Sequence, residues 1–132
     1  MDYWFDCVTP PNTPKEEAVE TEMKVTEGII THVWIMHPPG CHGVAHAKIF
    51  DGIHQLYPTN PAEDYRGSGF PMEFDDAYEV KEPSKLWLVT WNDSVSYPHA
   101  VYVRVTIQPK AYAMPWLIVK DLVDILKRLI GI

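Results

Sequence analysis

The chain has 132 residues, with 18 Asp or Glu against 11 Lys or Arg, and a formal net charge of −7. Its length suits one ordinary domain. Hydrophobic residues at 46% and charged residues at 22% argue against a disordered, collagen-like or fully membrane-embedded chain. The acidic balance argues against nucleic-acid binding through phosphates, because that binding needs clustered Lys and Arg.

Residues 1–20 are predicted to form an extended acidic N-terminal arm. Three prolines between residues 8 and 14, followed by acidic residues, are typical of an extended segment rather than a core element. The first residues lack the basic region and apolar run of a secretory signal. The tip, Tyr3-Trp4-Phe5, is too apolar for a purely solvated tail. We therefore expect Tyr3, Trp4 and Phe5 to dock on their own domain or at an interface between subunits.

Residues 21–109 are predicted to form a single β-sandwich domain. Apolar and polar residues alternate, and turn signals recur at short intervals. Val101, Val103 and Val105 mark the cleanest strand, and Asp51-Gly52 is the best hairpin signal. About seven strands are predicted, a number typical of antiparallel sandwiches. The expected fold is all-β, of jelly-roll or immunoglobulin-like type.

No transmembrane segment is expected. Residues 29–47 are uncharged and 19 long, but they contain four histidines and the sequence Pro38-Pro39-Gly40. A membrane-spanning helix would not tolerate these residues well.

Residues 114–131 are predicted to form an amphipathic helix, because the spacing of apolar residues changes to three and four. Its apolar face must pack on the sheets, on copies of itself or on a membrane surface. The polar face mixes acids and bases, which disfavours a membrane. The expected oligomer-interface residues of this helix are Trp116, Val119, Leu122, Val123, Leu126, Leu129 and Ile130.

The residues that could bind a metal are His37, Cys41, His42 and His46, because imidazole and thiolate are the ligands that zinc prefers. Their spacing matches no established ligand motif, with no paired CxxC and no HExxH. We therefore predict no metal site and no cofactor. If a metal does bind, these four residues are the candidates.

Trp87 and Trp91 share one face of a predicted strand and could form a platform for a sugar. The simpler interpretation is that both belong to a core layer.

These patterns favour a non-enzymatic structural protein, a protomer of a homo-oligomer or larger assembly such as a viral capsid or decoration protein. One alternative is a β-sandwich module that binds carbohydrate or another ligand. A third is a metal-dependent enzyme that uses the His/Cys cluster.

Overall fold

The computed structural model describes residues 1–82, 85–113 and 115–131, and for Leu117 the backbone alone. The strands are β1 (Asp2–Thr9), β2 (Val19–Met23), β3 (Gly28–Met36), β4 (Ala45–Asp51), β5 (His54–Tyr57), β6 (Pro71–Val80), β7 (Leu86–Asn92) and β8 (His99–Gln108). A short 3₁₀ turn covers Lys15–Glu17, and the helices α1 (Lys110–Ala113) and α2 (Pro115–Leu129) follow β8.

The strands form two antiparallel four-stranded sheets. The first sheet has the order β1-β8-β3-β6, and the second has the order β2-β7-β4-β5. The β4–β5 connection stays within one sheet, whereas each other connection between consecutive strands crosses from one sheet to the other. The all-β class agrees with the sequence prediction. The prediction of about seven strands did not include β1, because residues 1–20 were expected to form an extended arm.

The buried faces of both sheets contribute to one hydrophobic cluster. In β8, Val101, Val103, Val105 and Ile107 are at most 1% exposed, and the residues between them are partly exposed. Leu88 of the second sheet belongs to the same cluster. Full burial of one such aliphatic side chain stabilises the fold by roughly 1.5–3 kcal/mol. This shared core fits a β-sandwich.

The first half of the predicted arm is a strand of the first sheet. Residues 2–9 pair with β8 along their whole length. Tyr3, Phe5 and Cys7 pack against the core cluster, whereas Trp4 lies on the opposite face. The alternation in β1 therefore has the period of a strand, with the acidic residues Asp2 and Asp6 on the outer face.

The second half of the predicted arm is held against the end of β7. The backbone N–H of Asn12 donates to the carbonyl of Ser94 at 2.7 Å, and that of Thr13 donates to the carbonyl of Asn92 at 3.0 Å. Backbone hydrogen bonds therefore attach this segment to the body of the domain, and it contains the 3₁₀ turn at Lys15–Glu17.

The predicted hairpin at Asp51-Gly52 is confirmed, because β4 pairs with β5 in antiparallel orientation across this turn. Gly52 has φ +60°, in the left-handed region that glycine adopts readily. The tip residue Ile53 is fully exposed to solvent.

Helix α2 occupies nearly the whole of its predicted segment. It begins with Pro115, whose missing N–H costs nothing in the first turn of a helix. Lys127 and Arg128 lie in its last turn, where positive charge stabilises the helix dipole. Gly131, with φ +75°, follows its end. Met114, at which the predicted segment starts, lies outside the described residues.

We predict that Val103→Ala lowers the free energy of unfolding by about 2 kcal/mol, because it removes two buried methyl groups and leaves a cavity. Val103 is 0% exposed. The matched control is Val95→Ala, since Val95 is 76% exposed in a loop. Urea unfolding should separate the two variants. Equal losses would contradict the placement of Val103 in the shared core.

Candidate functional site

Helix α2 presents the largest set of exposed apolar side chains in the described structure. The exposed fraction of these side chains ranges from 42% for Val123 to 76% for Leu129, so none of them is buried. The helix contacts α1, and α1 in turn contacts β3. The core of the two sheets therefore leaves the apolar face of α2 uncovered. Large exposed apolar patches of this kind mark interaction surfaces.

The apolar face of α2 covers about half of the helix circumference at 100° per residue. Lys120, Asp121, Asp124, Lys127 and Arg128 occupy a narrower polar arc on the other side. The expected interface residues of the helix lie together on the apolar half: Trp116, Val119, Leu122, Val123, Leu126 and Leu129, with Ile130 just beyond the last turn.

The three aromatic residues at the N-terminus do not act together as an exposed tip. Tyr3 and Phe5 pack against the core cluster, and the Tyr3 hydroxyl is hydrogen-bonded to Oγ1 of Thr26 at 2.9 Å. Trp4 is 54% exposed on the outer face of the first sheet. Of this predicted set, Trp4 alone presents a large surface to a partner.

The four residues named as metal candidates are in different environments. His37 and Cys41 are buried, His42 is exposed with φ +49°, and His46 is bonded to carboxylates. Burial raises the pKa of the Cys41 thiol, which disfavours the thiolate that a metal would need. Within residues 1–82, 85–113 and 115–131, no three His, Cys, Asp or Glu side chains lie in a metal-binding arrangement.

His46 joins two loops at one end of the second sheet. Its Nδ1 lies 2.7 Å from Oδ1 of Asp64, and its Nε2 lies 2.8 Å from Oδ2 of Asp93. Each ring nitrogen therefore has a carboxylate oxygen within hydrogen-bond distance. The ring also stacks on Trp91, with centroids 4.9 Å apart and planes 4° from parallel.

Lys15 and Lys48 lie near the same tryptophan. Their Nζ atoms are 5.6 and 5.9 Å from the centre of the Trp91 ring. Lys48 also donates to Oε1 of Gln55 and to the carbonyl of Pro61. These contacts tie the segment after β5 to β4. Two ammonium groups and the His46 ring therefore lie near the same indole.

The sequence carried no signal for the two carboxylates that hold His46. Asp64 is in the long segment between β5 and β6, and Asp93 follows β7, so the two are 29 positions apart. The pairing of β4 with β7 brings Asp93 to His46, and the bridge between Ala47 and Tyr65 brings Asp64.

The two predicted platform residues are in different surroundings. Trp91 is 4% exposed and lies under His46. Trp87 lines a groove of about 600 Å³ on the outer face of the second sheet, a volume within the range of small-molecule sites. Its other lining residues are Glu20, Phe50, Gly52, Ile53 and Val89.

No protein-family model matches the sequence, and a search of curated proteins finds no match either. Among the residues that the structure describes, no helix is long and apolar enough to cross a membrane.

We predict that His37 makes the fold less stable in acid. Burial lowers the pKa of His37 to about 4, and the nearby charge of His46 acts in the same direction. In the unfolded chain the imidazole takes up a proton near its ordinary pKa of about 6.5. The unfolded state therefore binds more protons between these values, and the free energy of unfolding falls as the pH drops from 6.5 towards 4. The full effect is on the order of 3 kcal/mol.

Urea unfolding between pH 7.5 and 4.5 tests this. His37→Leu should reduce the pH dependence, whereas the control His54→Leu, at an exposed position, should leave it unchanged. His32 has a raised pKa and contributes in the opposite direction, but it is present in both variants. Parallel pH profiles for the two variants would contradict the prediction.

Proposed function

We propose that this chain is a protomer of a homo-oligomeric assembly whose subunits are joined by a bundle of α2 helices. The observation that carries the proposal is the uncovered apolar face of α2, which spans half of the helix. An isolated helix of this length is only marginally stable in water, so helices of this kind depend on packing. A second copy of the chain supplies a matching apolar face.

The width of the face favours more than two helices in the bundle. Val119, Leu122, Leu126 and Leu129 alternate at spacings of three and four, as the a and d positions of a coiled coil do. In a two-stranded coiled coil the flanking e and g positions are usually charged. Here the flanking positions are apolar as well: Trp116, Ile118, Val123 and Ile125. Three or more helices would cover these side chains.

The composition of the polar arc supports a protein partner rather than a lipid surface. Helices that lie on membranes usually have a strongly basic polar face. The polar arc of α2 has three basic residues, but Asp121 and Asp124 lie among them. Charges of both signs on the solvent side are typical of helices in soluble bundles.

We also propose that the two sheets form a jelly-roll sandwich. Their strand orders, β1-β8-β3-β6 and β2-β7-β4-β5, correspond to the two sheets of an eight-stranded jelly roll. This architecture occurs in capsid and lectin domains, among others. With an assembling helix attached, it supports a role as a capsid or decoration protein, by analogy of architecture.

We predict that Leu122→Glu combined with Leu126→Glu dissociates the assembly, because two carboxylates would lie in the apolar interface. Sedimentation velocity at micromolar concentration should show the wild-type chain as an oligomer of three or more and the variant as a single chain. The control is Lys120→Glu with Lys127→Glu on the polar arc, which should remain oligomeric.

A wild-type chain that is monomeric in this experiment would overturn the proposal. A chain that ends at residue 113 gives a second test, because the described core lies entirely in the sheets. This shorter chain should fold, with the far-ultraviolet circular dichroism of a β protein, and should be monomeric.

A second candidate function is ligand binding in the Trp87 groove. Phe50, Val89 and the exposed Ile53 make the groove mainly apolar, with Glu20 as its one charged lining residue. This lining favours a neutral apolar ligand over a sugar.

We predict that 2-naphthol, a neutral aromatic probe, binds this groove weakly. In NMR titrations it should shift the backbone amide signals of Gly52 and Ile53. Trp87→Ala should abolish these shifts, and Trp116→Ala on α2 should not. Shifts confined to α2 would exclude the groove as the binding site.

A further inference from the structure

The outer face of the first sheet has a compact aromatic cluster. Trp4 of β1 and Trp34 of β3 both pair in register with Arg104 of β8, so the three side chains lie on the same face of neighbouring strands. The ring centroids of Trp4 and Trp34 are 5.5 Å apart, and those of Trp4 and Tyr102 are 5.8 Å apart. We call these three rings with Arg104 the aromatic face.

The aromatic face is held in place before any ligand arrives. Cζ of Arg104 lies 5.7 Å from the centre of the Trp34 ring, a distance at which a cation attracts an aromatic ring. Three of the four side chains are partly buried, and they come from neighbouring strands of a rigid sheet. Binding to such a surface costs little conformational entropy.

Several charged groups around the aromatic face already have hydrogen-bond partners. His32 contacts Asp75 at 2.6 Å and Glu73 at 2.9 Å, and these hydrogen bonds raise the pKa of His32, the Asp75 bond more than the Glu73 bond. Asp2 accepts a hydrogen bond from the Thr106 hydroxyl at 2.5 Å.

Three polar groups on this surface keep unused hydrogen-bonding capacity. In the described part of the chain, Asp6, Arg104 and the Tyr102 hydroxyl have no side-chain hydrogen bond or ion pair. Asp6 pairs in register with Tyr102, so the two side chains start from neighbouring positions at one end of the face. Flat aromatic rings beside a carboxylate and a hydroxyl suit a molecule with apolar ring faces and hydroxyl edges.

Other occupants fit the aromatic face less well. A cationic ligand would be repelled by Arg104, whose guanidinium lies 5.7 Å from the centre of the Trp34 ring. A two-fold contact with a second copy would bring the exposed carboxylates of Asp6, Glu73 and Asp75 close to their own equivalents. An anionic ligand would meet the same carboxylates.

We propose that the aromatic face binds a neutral oligosaccharide, with sugar rings stacked on Trp4 and Trp34 and hydroxyl groups bonded to Asp6 and Tyr102. Trp4 is the main stacking residue, because it is the most exposed of the three rings. This site is separate from α2 and from the Trp87 groove, and it does not depend on the assembly proposal.

Isothermal titration calorimetry with cellohexaose, laminarihexaose, mannohexaose, chitohexaose and maltoheptaose tests the proposal. At least one of these should bind, and Trp4→Ala should weaken its affinity by about tenfold or more. Asp6→Asn should weaken it less, because an amide oxygen still accepts a hydrogen bond. The matched control is Phe70→Ala, since Phe70 is an aromatic residue that is similarly exposed and lies outside both α2 and the aromatic face. It should bind as the wild type does.

Three results would overturn the proposal. The first is that none of the five oligosaccharides binds. The second is that binding is lost in Trp87→Ala but kept in Trp4→Ala, which would assign it to the groove. The third is that Trp4→Ala reduces the mass of the assembly in sedimentation, which would make the face an interface between copies.

Circular dichroism of Trp4→Ala checks that the sheets still form. If they do not, Tyr102→Phe and Asp6→Asn decide the question, and unchanged affinity in both would reject the site.

Discussion

Burial of the inner sheet faces in one core is the constraint on which the rest of the structure depends. Each strand can turn only one of its two faces inwards, because successive side chains point to opposite sides. The cluster that joins the two sheets takes its buried side chains from both of them, and β8 contributes four. Whatever the protein binds must therefore use an outer face, a loop or the helix.

Helix α2 shows this most directly. Its apolar half has the composition of a core element, yet the sheets already have a complete core without it. Within one chain, the apolar side chains of the helix therefore stay in contact with water and do not contribute the stabilisation that burial would give. The assembly that we propose would bury these side chains, since each copy brings the same surface and symmetric oligomers form from such repeated contacts.

The two outer faces differ in the side chains that they present. The second sheet has an apolar groove near Trp87, while its other end is occupied by the His46 network. The first sheet has stacked rings with unpartnered polar groups beside them. In that network both nitrogens of His46 are hydrogen-bonded to carboxylates from separate loops.

The sequence by itself determined those features that depend on local periodicity. Alternating residues specify most strands, Asp51-Gly52 specifies one turn, and spacing with Pro115 and Gly131 specifies the limits of α2. The tertiary structure decided which distant segments meet. It pairs β1 with β8, carries two carboxylates to His46, and gathers rings from three strands into one face. The physical reason is that strand order and register depend on packing between remote parts of the chain, and a local pattern of apolar residues contains no information about which remote partner is chosen.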